Sequence, residues 1–282
     1  MTDTGAKDLQ AIRHVVLDLD GTLYRGDRLF DVSIPFLERL RVLGIGYTFL
    51  TNNTSRSTRD YVEKLKALGI AASESEIYTP ADSTIAYLAD VLPDVTRLGV
   101  LGTPSLCRQF EEAGFSVGWD ECDAVIVGFD TTLDYDRLCR AAYGISRGLP
   151  YIATHPDLVC PTDEPTVLVD CGAICACLSA ATGRTPVVLG KPDPNMLIDL
   201  ARRQGVALDS LAMVGDRLYT DIAMAQLAGA VSVLVLSGEA TMADAAAMAS
   251  PPDVIVQDVG ELGVMLSRAR DARGADANHI VK

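Results

Sequence analysis

Val15-Val16-Leu17-Asp18-Leu19-Asp20-Gly21-Thr22-Leu23-Tyr24 joins a β-branched apolar run to two acids and a glycine. The run predicts a buried strand, and the acids fall where it ends and the chain turns at Gly21. In open α/β sheets ligands bind in the crevice beyond the carboxyl ends of the strands, which gives Asp18 and Asp20 a place where chemistry is done. Alternation points both carboxylates to one side of the strand, and Gly21 lets backbone amides approach an anion closely. Like charges so close repel unless a cation joins them or one takes up a proton. Taken alone, the same residues also fit a strand-end turn whose acids are merely solvated.

Outward from this stretch, strand and helix signals alternate. Phe36, Leu37, Leu40 and Leu43 fall at helical spacing, with Ser33 as the expected N-cap and Gly44 as the stop. A buried strand over 47–50 follows, then a helix from about Thr58, capped by Ser57 and closed by Gly69. Further helical runs end at Gly114, Gly148, Gly183, Gly205 and Gly229, and strand candidates lie at 98–101, 124–127, 151–153, 211–214 and 231–236. This alternation predicts an α/β fold with a doubly wound, Rossmann-like parallel sheet covered on both faces. Residues 1–10 and those from 271 onward are polar and aperiodic, and are expected as loose ends.

Composition narrows the function classes. The 282 residues carry 38 Asp and Glu against 24 Lys and Arg, a formal charge of −14. A nucleic-acid footprint needs concentrated positive charge, so no such partner is expected. An anionic substrate would need positive charge supplied locally, by a metal ion or a few Lys and Arg. The longest apolar stretch, within 171–181, is too short to cross a bilayer, and no basic segment leading into an apolar run opens the chain; a cytoplasmic protein without a membrane partner is expected. Seven cysteines lacking paired Cys-x-x-Cys spacing argue against a disulfide framework. Cys171, Cys175 and Cys177 invite a metal, but the Ala, Ile and Leu among them favour core packing.

Three further motifs carry chemistry. Thr51-Asn52, after the 47–50 strand, offers a hydroxyl, an amide and backbone N–H groups suited to phosphate oxygens, although such residues also simply make turns. In Gly190-Lys191-Pro192-Asp193-Pro194, two prolines stiffen the approach to a helix starting near Asp193 and hold the Lys191 ammonium close to its start. Val214-Gly215-Asp216 delivers an acid to a strand end, and Asp221 follows five residues later, as a second acid or as the N-cap of the next helix. Mg²⁺ takes carboxylate, carbonyl and water oxygens, so these clustered acids suffice for it. Site candidates stop before Pro80 and resume after Pro186. Residues 81–185 therefore read as an inserted α/β cap, and 1–80 with 186–282 as the core.

Asp-x-Asp-Gly-Thr, Thr-Asn, the Lys191 segment and Gly-Asp-x-x-x-x-Asp, in this order, resemble the haloacid dehalogenase superfamily over residues 12–265. The spacing resembles its branch of NagD-type, p-nitrophenyl, phosphoglycolate and pyridoxal phosphatases, as do the cap segments Val127-Gly128-Phe129-Asp130 and Ile152-Ala153-Thr154-His155-Pro156-Asp157. The resemblance implies a Mg²⁺-dependent phosphatase of small phosphorylated metabolites. Asp18 would be the nucleophile and Asp20 the general acid and base. Thr51, Asn52, Lys191 and the amides near Gly21 would hold the phosphoryl group. Asp18, the Asp20 carbonyl and Asp216 would bind the metal, and Asp221 would hold its waters or Lys191. His155 stands where bacterial members commonly have Asn, and is expected either as an exposed loop residue or as a contact to the leaving group within the loop 155–164. Related caps often dimerise, which admits a homodimer. A metal-free dehalogenase fits less well because halide departure needs no proton donor such as Asp20, and a phosphoacceptor signalling module lacks both the second acid and the cap.

Overall fold

The computed structural model describes residues 9–160 and 165–279, with side chains through 271. It divides into two compact units, one of Met1–Leu50, Ala67–Ile70 and Leu197–Lys282, the other of Thr51–Lys66 and Ala71–Met196.

In the first unit, His14–Leu17 is the fourth of five parallel strands, ordered Val254–Val256, Val231–Val235, Leu211–Gly215, His14–Leu17, Gly46–Leu50. Their near-continuous apolar sequences match strands buried on both faces, and His14–Leu17 is buried throughout. From His14–Leu17 the chain goes to Gly46–Leu50 on one side, while Leu211–Gly215 pairs on the other. That reversal of winding makes the end of this strand a topological switch point. His14 is itself buried, 2.8 Å from Thr48 Oγ1 through Nε2, and burial lowers its pKa to about 4.

In the second unit five parallel strands run in the order Val187–Val188, Tyr151–Ala153, Ala124–Val127, Arg97–Leu101, Ser116–Val117. Alternation sorts one strand into two cores. Val125 and Val127 pack with Ile145, Ile174 and Leu178 from the helices Tyr135–Ser146 and Cys171–Thr182. Ala124 and Ile126 pack with Leu88, Leu106 and Phe110 from the helices Pro80–Val91 and Pro104–Glu112. Both units are thus α/β with parallel sheets, as the alternation predicts.

Several local expectations change. Ser33 is the first residue of the helix Ser33–Val42; Val32 is its N-cap, and the Ser33 hydroxyl donates to Leu23 O at 2.6 Å instead of capping. Of the two ends expected to be loose, residues 1–8 and 280–282 lie outside the described residues. Leu9–Ala11 forms a 3-10 turn, and the last helix runs Val259–His279, past 271. Cys171 and Cys175 are buried on one helical face and Cys177 is exposed; the seven cysteines form no disulfide. No helix among the described residues is long and apolar enough to cross a membrane.

Candidate active site

Leu17 lies opposite Val214 in the parallel register, so Asp18 and Asp216 emerge at the same edge of the first unit's sheet. Asp18 N donates to Val214 O at 2.9 Å, and Thr22 Oγ1 donates to Asp18 Oδ2 at 3.4 Å. Asp18, Asp216 and Asp221 each offer a carboxylate oxygen within 4.8 Å of the others, and all three are buried. Asp221 reaches the group from a π-helical turn, Leu218–Ile222, in which its Oδ2 accepts from Arg217 N at 3.1 Å. It is not the N-cap of the helix that follows, Ala223–Ala228, which is Ile222. Asp20 stands apart from the three, exposed, with Oδ2 accepting from Gly26 N at 3.4 Å.

Glycines make room for these acids. Gly21 has φ +85°, a conformation L side chains rarely adopt, and a Cβ there would collide with Asp216 Oδ2; one on Gly238 would do the same. Asp216 Oδ2 accepts from Glu239 N at 2.7 Å, whereas its buried Oδ1 has no hydrogen-bond partner. Burial, reinforced by the charges of Asp18 and Asp221, pushes the Asp216 pKa up to about 7. A hard divalent cation would take the unpaired oxygen and relieve the repulsion among three acids, so this donor set fits Mg²⁺.

The sequence did not single out Arg217 or Ser237-Gly238-Glu239. Arg217 Nε lies 3.0 Å from Glu239 Oε2. Burial opposes its charge, but Tyr219, Asp18, Asp216 and Glu239 hold its pKa above the ordinary value. A small-residue pair just after the apolar run 231–236 was the available signal, the same signal that marked Gly21.

In the second unit Thr51 is buried, its Oγ1 accepting from Asn53 N at 3.2 Å and lying 3.4 Å from Tyr61 Oη. Asn52 and Lys191 are brought together across 139 positions: Lys191 N donates to Asn52 Oδ1 at 2.8 Å and Asn52 Nδ2 donates to Lys191 O at 3.0 Å. The Asn52 amide is therefore engaged with backbone. Asp130 is structural, paired with Arg137 at 2.9 Å and accepting from Thr132 N at 2.8 Å. His155 is fully buried, which overturns the first of its two expected positions, that of an exposed loop residue. Its Nε2 lies 2.9 Å from Asp170 Oδ1 and its Nδ1 2.9 Å from Thr154 Oγ1, which leaves no ring nitrogen for a leaving group. Burial lowers its pKa, but Cys171 and Asp170 outweigh that and lift it to about 9. Residues 161–164 of the expected specificity loop, Pro161 among them, lie outside the described residues.

Known proteins share this chain along most of its length. The family model described as haloacid dehalogenase-like hydrolase matches residues 15–116, and a second, HAD-hydrolase-like, matches 188–262. An acid sugar phosphatase of Staphylococcus aureus is 32% identical over 247 residues, 87% of this chain and 95% of that one. The structure of a 4-nitrophenylphosphatase from Thermotoga maritima superposes with a TM-score of 0.86 at 39% identity, covering 90% of this chain and 97% of the other. A glycerol phosphate phosphatase from Mycobacterium tuberculosis, solved in complex with magnesium, gives 0.83 at 32% identity over 90% and 77%. Strand-end acids, parallel sheets and near full-length likeness agree, and the chain belongs to the haloacid dehalogenase-like hydrolases, as a phosphatase of their NagD-like branch.

Proposed function

We propose that this phosphatase hydrolyses phosphate monoesters of small metabolites through a phosphoaspartate on Asp18, with Mg²⁺ as its cofactor. The observation that carries the reading is the buried trio Asp18, Asp216 and Asp221 at the sheet's switch point, with an unpaired oxygen on Asp216. Asp18, Asp216, Asp221 and the Asp20 carbonyl are the groups that would hold the ion or its waters, and the magnesium complex of the mycobacterial relative supports that choice. When bound, Mg²⁺ supplies the positive charge that lets an anionic nucleophile meet an anionic ester.

The residues divide the work. A carboxylate oxygen of Asp18 attacks phosphorus in line; the bond from phosphorus to the ester oxygen breaks, and Asp20 gives that oxygen its proton. Asp20, now a carboxylate, takes a proton from water as the water attacks the same phosphorus. The bond to Asp18 then breaks, returning Asp18 as a carboxylate with inorganic phosphate released. Exposure suits Asp20 to exchange protons with the leaving alcohol and with water. The sequence pattern assigns Thr51, Lys191 and the amides near Gly21 to the phosphoryl oxygens, and residues 81–185 to the cap that selects the leaving group. Since Asn52 pairs with the Lys191 backbone, we assign it to holding the lysine rather than the phosphate.

Trapping tests the reading. With Mg²⁺ and BeF₃⁻, a crystal structure of the intact protein should place the acyl-phosphate analogue on Asp18; its appearance on another residue, or undiminished turnover in excess chelator, rules the reading out.

A further inference from the structure

The Asn52 carboxamide accepts from the Lys191 N–H and donates to the Lys191 carbonyl, copying the two-way pairing of neighbouring peptide groups. It does so in one orientation only. Turned by 180°, its NH₂ would face the Lys191 N–H and its oxygen the Lys191 carbonyl. Asp157 selects the orientation: its two carboxylate oxygens lie 3.4 and 3.3 Å from Asn52 Nδ2, and a carboxylate accepts without donating. Asp157 is in turn anchored, since its carbonyl accepts from Gly172 N at 2.8 Å at the start of the helix Cys171–Thr182. That approach requires glycine, because a Cβ on Gly172 would collide with Pro156 O. Two residues upstream, His155 is fixed to Asp170 and Thr154, and a Cβ on Gly190 would be pressed against Thr154 O and His155 Cβ. The loop from Thr154 to Asp157 and the turn Gly190-Lys191 are therefore one interlocked piece.

We propose that Asp157, acting through Asn52, is a positioning residue for Lys191: it locks the amide in the one orientation that pins the Lys191 backbone, so that the ammonium starts from a fixed base. This rests on the assignment of Lys191 to the phosphoryl oxygens made above. His155 supports the same loop from the interior.

A double-mutant cycle with p-nitrophenyl phosphate, in the full chain saturated with Mg²⁺, tests the proposal. Asp157→Asn keeps the shape but lets the amide turn, and kcat should fall about tenfold with KM changed less than about threefold, because small misplacements of a reacting group are costly. In a Lys191→Gln background the same substitution should cost less than about twofold, since nothing is left to position. Equal losses in both backgrounds, or no loss in the parent chain, overturn the proposal. A wild-type rate from Lys191→Gln alone overturns the lysine assignment and the proposal with it, and is read before the cycle is closed. Where the double variant turns over too slowly, orthovanadate binding followed by thermal shift replaces the rate. Asp157→Asn should then weaken binding about tenfold in the parent and not in the Lys191→Gln chain, again by coupling; parallel weakening in both overturns it. Asn52→Asp should reproduce the Asp157→Asn loss, because a carboxylate accepts from the Lys191 N–H but repels its carbonyl.

Discussion

Burial and the neighbouring Asp18 and Asp221 put Asp216 under electrostatic tension. Its folded pKa of about 7 exceeds the ordinary 3.8, so the folded chain binds more protons than the unfolded one between those values. Metal-free protein should therefore lose stability through this residue as pH rises from about 4 to 7. Asp216→Asn should remove that slope in EDTA and, near pH 7.5, melt at the same temperature as the parent or higher. With Mg²⁺ added the order should reverse, because the variant forfeits a ligand. A variant less stable than the parent in EDTA would mean the repulsion is absent. Asp18→Asn should leave folding intact and reduce turnover by about a thousandfold or more, since a carboxamide is not a nucleophile and residues acting as one unit fail together. Single-turnover assays with p-nitrophenyl phosphate check it.

Elements, more than single residues, hold the acids in place. The turn at Gly21 and the Ser237-Gly238 corner leave room for Asp216, and both would be filled by a methyl group. Gly238→Ala should raise the Mg²⁺ concentration needed for half-maximal activity and lower the melting temperature, the overpacking against Asp216 being worth about 1–3 kcal/mol. A variant with unchanged metal titration would show that the corner moves freely. In the inner strand His14–Leu17, burial keeps His14 neutral with a pKa of about 4 against 6.5 unfolded. The unfolded chain then binds more protons between those values, and stability should fall as pH drops from 6.5 to 4. His14→Gln should flatten the acid limb of a plot of melting temperature against pH, which calorimetry can read.

Across the whole molecule the charge of −14 opposes an anionic substrate except where cations are local. Salt screens long-range repulsion more than short contacts. KM for p-nitrophenyl phosphate should therefore fall, by about twofold, as ionic strength rises from about 10 to 150 mM at saturating Mg²⁺. A rise over that range would mean that attraction by Lys, Arg and the metal already dominates approach. The same charge pattern leaves selectivity to contacts beyond the phosphoryl group, which every candidate ester shares.

Strand and helix alternation was legible in the chain because buried parallel strands are continuous apolar runs and glycines end the helices between them. The runs 124–127 and 151–153 coincide with strands, and Asp18 and Asp216 could be placed at strand ends from Val-Val-Leu and Ala-Met-Val alone. The short strands Ser116–Val117, Val187–Val188 and Val254–Val256 did not stand out in the sequence. Motif order reached the family, but not the environment of each residue. Only tertiary structure decided that His155 is buried between Asp170 and Thr154, that Asp221 enters by a π-turn, and that Asn52 holds Lys191 from 139 positions away. The reason is physical: periodicity reports which face of its own element a side chain occupies, whereas a hydrogen-bond partner or a pKa is set by atoms that long-range folding brings within a few ångströms.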